Sequence, residues 1–122
     1  MILLNDFYTI VSNSASGGSV RARISINKAH KIFDGHFPGL PIVPGVCMMQ
    51  IIREIMEVTT ERSLMIVSAD NMKFLSVINP DHNQEVDVSI TYSQDSGTFT
   101  VNASLFAGTV TFFKLKAALK TS

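Results

Sequence analysis

The sequence predicts an α+β fold, in which one buried helix is set against five or six antiparallel strands. Two observations carry this. Between Pro44 and Val58 apolar residues crowd a helical segment on nearly every side, which is how a helix enclosed by other elements reads. Across most of the remaining chain, apolar and polar residues alternate, as they do along strands with one buried face.

Taken in order, Phe7–Ser12 reads as a strand and Ser14–Ser19 as a turn or loop by composition. Val20, Ala22, Ile24 and Ile26 then alternate with Arg21, Arg23, Ser25 and Asn27, giving a half-buried strand. A Pro- and Gly-rich stretch follows, with three prolines and three glycines between Gly35 and Gly45. Proline fixes φ and glycine widens the choice, so this is a shaped loop. The helix comes next. Val46, Cys47, Met48, Met49, Ile51, Ile52, Ile55 and Met56 leave Gln50 as the one polar residue of its first two turns. Leu64–Val67, continuing through Met72–Ile78, reads as a long or bulged strand, and Asn79–His82 as a turn. Val86, Val88 and Ile90 form another strand, Gln94–Gly97 a hairpin turn, and Phe99 to Leu105 the next strand. Ala107 and Gly108 close it, and Val110, Phe112 and Leu115 lead into a Lys-flanked last strand.

A length of 122 residues fits one domain, 1–122, with a single core. Hydrophobic residues at 46% argue for a folded chain. Ten Lys plus Arg balance ten Asp plus Glu with no basic block, so nucleic acid is not an expected partner. No apolar run approaches the ~20 residues of a membrane span, and Asn5 and Asp6 interrupt the apolar start before it could serve as a signal peptide. The single Cys47 cannot form an internal disulfide, which fits a reducing cytoplasm. No cluster has metal-ligand spacing and no glycine loop suits a nucleotide, so neither metal nor cofactor is expected.

The shaped loop also carries chemistry. It holds His36 near the helix entrance at Pro44, where free N–H groups can bind a developing oxyanion. A base beside an oxyanion site suits removal of a proton α to a carbonyl. The motif Gly35-His36-Phe37-Pro38-x-x-Pro41-Ile42-x-Pro44-Gly45-Val46 resembles the signature of the β-hydroxyacyl-acyl-carrier-protein dehydratases. That family has the hotdog fold, an antiparallel sheet wrapped around one long helix.

The resemblance implies a set of roles. His36 is the base that removes the proton next to a thioester carbonyl, and the Gly45 N–H is the oxyanion donor. The substrate is a 3-hydroxyacyl thioester on the phosphopantetheine of an acyl carrier protein, and the product a trans-2-enoyl thioester. An acyl tunnel along the helix and following strands makes Phe37, Pro44, Val46, Met49, Met72 and Phe74 candidate substrate-binding residues. Asn71-Met72-Lys73-Phe74 resembles the family's Asn-x-x-Phe segment.

One position departs from the family. Its catalytic carboxylate lies fourteen residues after the histidine, where this chain has Gln50. An amide can hydrogen-bond a hydroxyl but cannot usefully donate a proton, and losing a general acid typically lowers the rate by about 10²–10⁴. Glu54, one helical turn on, is a candidate replacement, as if the family's Glu and Gln had traded places; the plainer reading pairs it with Arg53 or solvent. Asp34 and Asp70 are weaker replacements that read as turn or strand-end residues. His30 and His82 read as solvated histidines near turns, and Cys47 as a small apolar filler.

The expected function is dehydration of a 3-hydroxyacyl thioester in fatty-acid or related lipid or polyene synthesis, weakened by Gln50. Two alternatives are a hotdog thioesterase using Glu54, and a non-catalytic acyl-binding or heterodimer partner. A helix apolar on so many faces also predicts a homodimer or higher homo-oligomer.

Overall fold

A computed structural model of the chain describes residues 2–35 and 41–122. Six strands form one antiparallel sheet: β1 (Tyr8–Ser16), β2 (Ser19–Ile26), β3 (Leu64–Phe74), β4 (Glu85–Asp95), β5 (Thr98–Ala107) and β6 (Val110–Thr121). Their spatial order is β1-β2-β4-β5-β6-β3, so β1 and β3 are the edges. Between β2 and β3 lie a short helix α1 (Ile32–Gly35) and the long helix α2 (Gly45–Thr60).

The core is what the two periodicities require. Ile51, Ile52, Ile55 and Met56 of α2 share one buried cluster with Ile24 of β2, Val88 and Ile90 of β4, Phe99 and Val101 of β5, and Phe113 and Leu119 of β6. Each such side chain contributes roughly 1.5–3 kcal/mol of burial. Both ends of α2 are set locally. Pro44 enters in extended geometry, and Glu61 ends the helix in the left-handed region at φ 54°. Glu57, near the helix end, accepts a 2.8 Å hydrogen bond from the Leu64 N–H and so ties the start of β3 to α2.

The strands differ from expectation at their ends. The segment read as a loop, Ser14–Ser19, is mostly strand. Its turn is confined to Gly17 and Gly18, both at positive φ, and a Cβ on Gly18 would lie 2.7 Å from the Tyr92 carbonyl oxygen. The expected strand through Ile78 stops at Phe74. Register shifts at Ile66/Ser68 and Ala69/Asn71 let β3 stay paired with β6 across its whole length. Helix α1 was not expected; it ends where the Pro- and Gly-rich stretch begins.

Helix α2 is also less enclosed than its composition suggests. Val46 is 73% exposed, although its neighbours Cys47 and Met48 are buried in the core. The two edges contrast. Ser12, Asn13 and Ser14 give β1 a polar rim, whereas Met65, Val67, Met72 and Phe74 leave large apolar side chains exposed on β3. No helix among the described residues is long and apolar enough to cross a membrane.

Candidate functional site

The site is built at the entrance of α2. The Pro44 carbonyl accepts the first helical hydrogen bonds, from Cys47 N at 3.0 Å and Met48 N at 3.3 Å. Gly45 and Val46 therefore sit in the first turn, where N–H groups have no intrahelical acceptor. No side-chain cap occupies this end. The chain leading in is pinned by Val43 N to the Ile78 carbonyl at 2.9 Å. A groove of about 360 Å³ opens here, lined by Ile42, Val43, Pro44, Gly45, Met48 and Phe74, and continued by Leu75, Ser76 and Val77. It is mostly apolar and ends at a helix N-terminus, which suits an acyl chain whose carbonyl oxygen needs a donor.

The expected substrate residues divide. Pro44 and Phe74 line this groove with Gly45. Phe74 is 55% exposed at the end of β3, its ring tilted against that of Phe113 with centroids 4.9 Å apart. Met72 is 41% exposed on the same strand, Met49 is half-buried against the core, and Val46 points to solvent, so these three lie outside the groove lining. His36 and Phe37 lie outside the described residues.

Gln50 and Glu54 are in direct contact. The Gln50 Nε2 donates to Glu54 Oε2 at 2.7 Å, and Arg53 Nη1 approaches Gln50 Oε1 at 3.5 Å. Glu54 has a different environment from the one expected. Its side chain is fully buried and pairs with neither Arg53 nor solvent. Oε2 accepts the Ile2 and Leu3 N–H groups at 3.1 and 3.0 Å. Oε1 accepts the Leu4 N–H at 2.8 Å and the Tyr8 hydroxyl at 3.1 Å. Burial alone would raise its pKa. Hydrogen bonds from Gln50 and from the Leu3, Leu4 and Ile2 N–H groups outweigh that and hold the carboxyl below the ordinary glutamate range. Such a carboxylate clamps the start of the chain onto α2. It has no proton to give and no open face, which argues against the replacement-acid role.

Other expectations resolve similarly. His30 is not a solvated histidine. Its side chain is only 12% exposed, Nδ1 accepts the Ile32 N–H at 3.0 Å, and Nε2 meets Asp6 Oδ2 at 3.1 Å. An accepting Nδ1 places the neutral ring's proton on Nε2. His82, Asp34 and Asp70 are exposed. Cys47 is buried, and burial first, then the Glu54 charge, push its thiol pKa up, consistent with a filler. Sequence reasoning missed Tyr8, whose pKa is raised by burial and by the adjacent Glu54 charge. It also missed the backbone of residues 2–4. No local signal links these groups to a helix some fifty positions away.

Comparison with known proteins gives this geometry a context. A family model described as ApeI dehydratase matches residues 12–110. The 3-hydroxyacyl-[acyl-carrier-protein] dehydratase FabZ of Caulobacter sp. (strain K31) is 29% identical over 82 residues, covering 60% of this chain and 49% of that protein. FabZ of Caulobacter vibrioides (strain NA1000 / CB15N) is 28% identical over 82 residues, covering 60% and 50%. The chain thus spans about half the length of the curated relatives it matches. Among solved structures, the dehydratase heterocomplex ApeI:P from Xenorhabdus doucetiae superposes with a TM-score of 0.73 at 17% identity, over 91% of this chain and 96% of that one. An uncharacterised protein from Erwinia carotovora subsp. atroseptica gives 0.69 at 19% identity, over 93% of both chains. At these identities the likeness is one of fold, and the fold is the hotdog.

Proposed function

Because this chain belongs to the ApeI-like dehydratase family, we propose that it removes water from a 3-hydroxyacyl thioester to give a trans-2-enoyl thioester. The observation that carries this reading is the helix entrance. Gly45, in register in the dehydratase motif, stands in the first turn of α2 and lines an apolar groove. In this reading His36 takes the proton from C2 and the Gly45 N–H stabilises the charge that develops on the thioester oxygen. A donor so placed contributes roughly 3–4 kcal/mol to the transition state. The substrate is carried on an acyl carrier protein, and the reaction belongs to the cytoplasm, where the unpaired Cys47 stays reduced. Incubating a 3-hydroxyacyl carrier protein with the chain and weighing the products tests the reading: loss of one water supports it, and an unchanged mass contradicts it.

The thioesterase alternative is weakened, since Glu54, its general base, is enclosed by five donors. A paired assembly is better supported. The apolar edge of β3 lies beside the groove and calls for a second chain. A second copy of this chain would make a homodimer. A different hotdog chain would bring the carboxylate that position 50 lacks. The similar fold from Xenorhabdus doucetiae is named as part of a dehydratase heterocomplex. Copurification with a carboxylate-bearing hotdog protein would select the second.

A further inference from the structure

We infer that the outer face of the sheet carries a second binding site, a hollow of three lysines and short polar side chains that takes a ligand bearing a phosphate or diphosphate group. The site lies away from the helix entrance and does not depend on the dehydratase reading.

The period of two along each strand builds it. Val88, Ile90, Val101, Leu105, Phe113 and Leu115 are buried in the core shared with α2, so the residues between them face the opposite side of the sheet. The strand registers set Ser89, Ser104, Lys114 and Lys73 in one line across β4, β5, β6 and β3. Thr91, Asn102, Lys116 and Asn71 form the next line. Together they line a hollow of about 330 Å³, the size of a small-ligand site. Short side chains of β4 and β5 keep its floor low, and the long lysines of β6 and β3 wall one side. The sequence shows no basic run because β3 and β6 lie far apart in the chain; their pairing brings the three lysines together.

Two observations point to an anion. The first is uncompensated charge. Lys73 and Lys114 are direct cross-strand partners, a placement that puts Cβ atoms about 4.5–5.5 Å apart and is destabilising for like charges. Lys116 follows roughly 7 Å along β6. No carboxylate lines the hollow, and among the described residues no ion pair involves any of the three lysines. Asp70, at the β3 register shift beside Asn71, stands outside the lining. The neighbouring hollow on the same face is balanced instead, because Asp87 at 2.9 Å and Glu85 at 3.9 Å hold its Arg23. The second observation is that the polar lining is unengaged. Among the described residues, the side chains of Asn71, Ser89, Thr91, Asn102 and Ser104 take part in no hydrogen bond within the chain. Three ammonium groups gathered in this way exceed the charge of one carboxylate and match a phosphate or diphosphate, which lysine binds as a point charge. The hydroxyl and amide groups can donate to the remaining oxygens.

Titrating the intact chain with inorganic pyrophosphate, followed by proton–nitrogen NMR at an ionic strength held constant with sodium chloride, tests the site. The amide shifts should saturate and should cluster at residues 71–73, 102–104 and 114–116. Lys114→Gln should weaken binding about tenfold or more, the effect of losing a charge-assisted contact. Arg23→Gln, in the balanced hollow, should change it less than about twofold, since surface charges this far apart are largely screened. Without ligand, Lys114→Gln should unfold at the same temperature as the parent or a higher one, because it removes a like-charge pair. A lower unfolding temperature would make the lysine structural and overturn the inference. Adenosine diphosphate separates the sources of the anion: tighter binding than pyrophosphate supports an esterified ligand, and equal or weaker binding supports the free anion. Shifts that fail to saturate, or equal losses in Lys114→Gln and Arg23→Gln, would reduce the effect to general screening and overturn it. A hexaglutamate peptide that binds more tightly than pyrophosphate would also overturn it, in favour of an acidic protein partner.

Discussion

The ring of Phe74 lies against the Cα of Gly45, so close that a methyl group added at 45 would meet Cε1 at 2.7 Å and Cζ at 3.0 Å. The glycine suits this approach, since without it the Phe74 ring would have to shift; its backbone is ordinary helix and no positive φ is involved. Strand β3 thereby sets the position of the first N–H groups of α2. Gly45→Ala should destabilise the fold by about 1 kcal/mol through this clash. In a Phe74→Ala background the same substitution should be neutral or stabilising, because alanine is the better helix former. Denaturant unfolding of the four proteins gives the coupling. Equal effects in both backgrounds would mean that the contact does not set the entrance.

The Glu54 clamp makes stability acid-sensitive. Its folded pKa lies below the ordinary glutamate value of 4.5. The stabilisation is therefore complete above the unfolded pKa and is lost as pH falls through the folded one. Glu54→Gln should remove roughly 1–3 kcal/mol at neutral pH and flatten the acid limb of the stability curve. Tyr8→Phe, which deletes one buried donor, should remove about 1 kcal/mol. Urea unfolding across the acid range checks both.

Gln50→Glu should reverse the sign. A second carboxylate would replace the amide now 2.7 Å from Glu54, and two such groups cannot both ionise at that distance. One retains a proton, with its pKa raised on folding. That variant should therefore gain stability relative to the parent as pH falls through this raised pKa. A variant that tracks the parent's pH dependence would show that the two side chains separate in solution.

The exposed apolar rim of β3 predicts association. Sedimentation at micromolar concentration should show a dimer, and Val67→Lys with Met72→Lys should shift it toward monomer, because inward or edge charges block strand pairing. A monomeric parent chain would contradict this.

Much of the fold was legible because it depends on local period. The helix spans Gly45–Thr60 against an expected Pro44–Val58, and all the alternating segments proved to be strands. The ends of β1 and β3 were not legible. Small polar residues continue β1 because its partner β2 pairs with them, and bulges in β3 break the alternation that marks a strand. The Gln50–Glu54 adjacency follows from helical spacing alone. What encloses Glu54 does not, since its donors Ile2, Leu3, Leu4 and Tyr8 are 46 to 52 positions away in sequence. His30 was misread for the same reason: Asp6, 24 positions earlier, is its partner.

Dehydration with His36 as base is the proposed reaction. Mass spectrometry of a 3-hydroxyacyl carrier protein, incubated in parallel with the parent chain and with a folded His36→Ala variant, tests it most directly. The parent should convert the carrier to a species lighter by one water, and His36→Ala should leave its mass unchanged. An unchanged carrier with the parent chain, a hydrolysed free-thiol carrier, or undiminished water loss with His36→Ala would each contradict it.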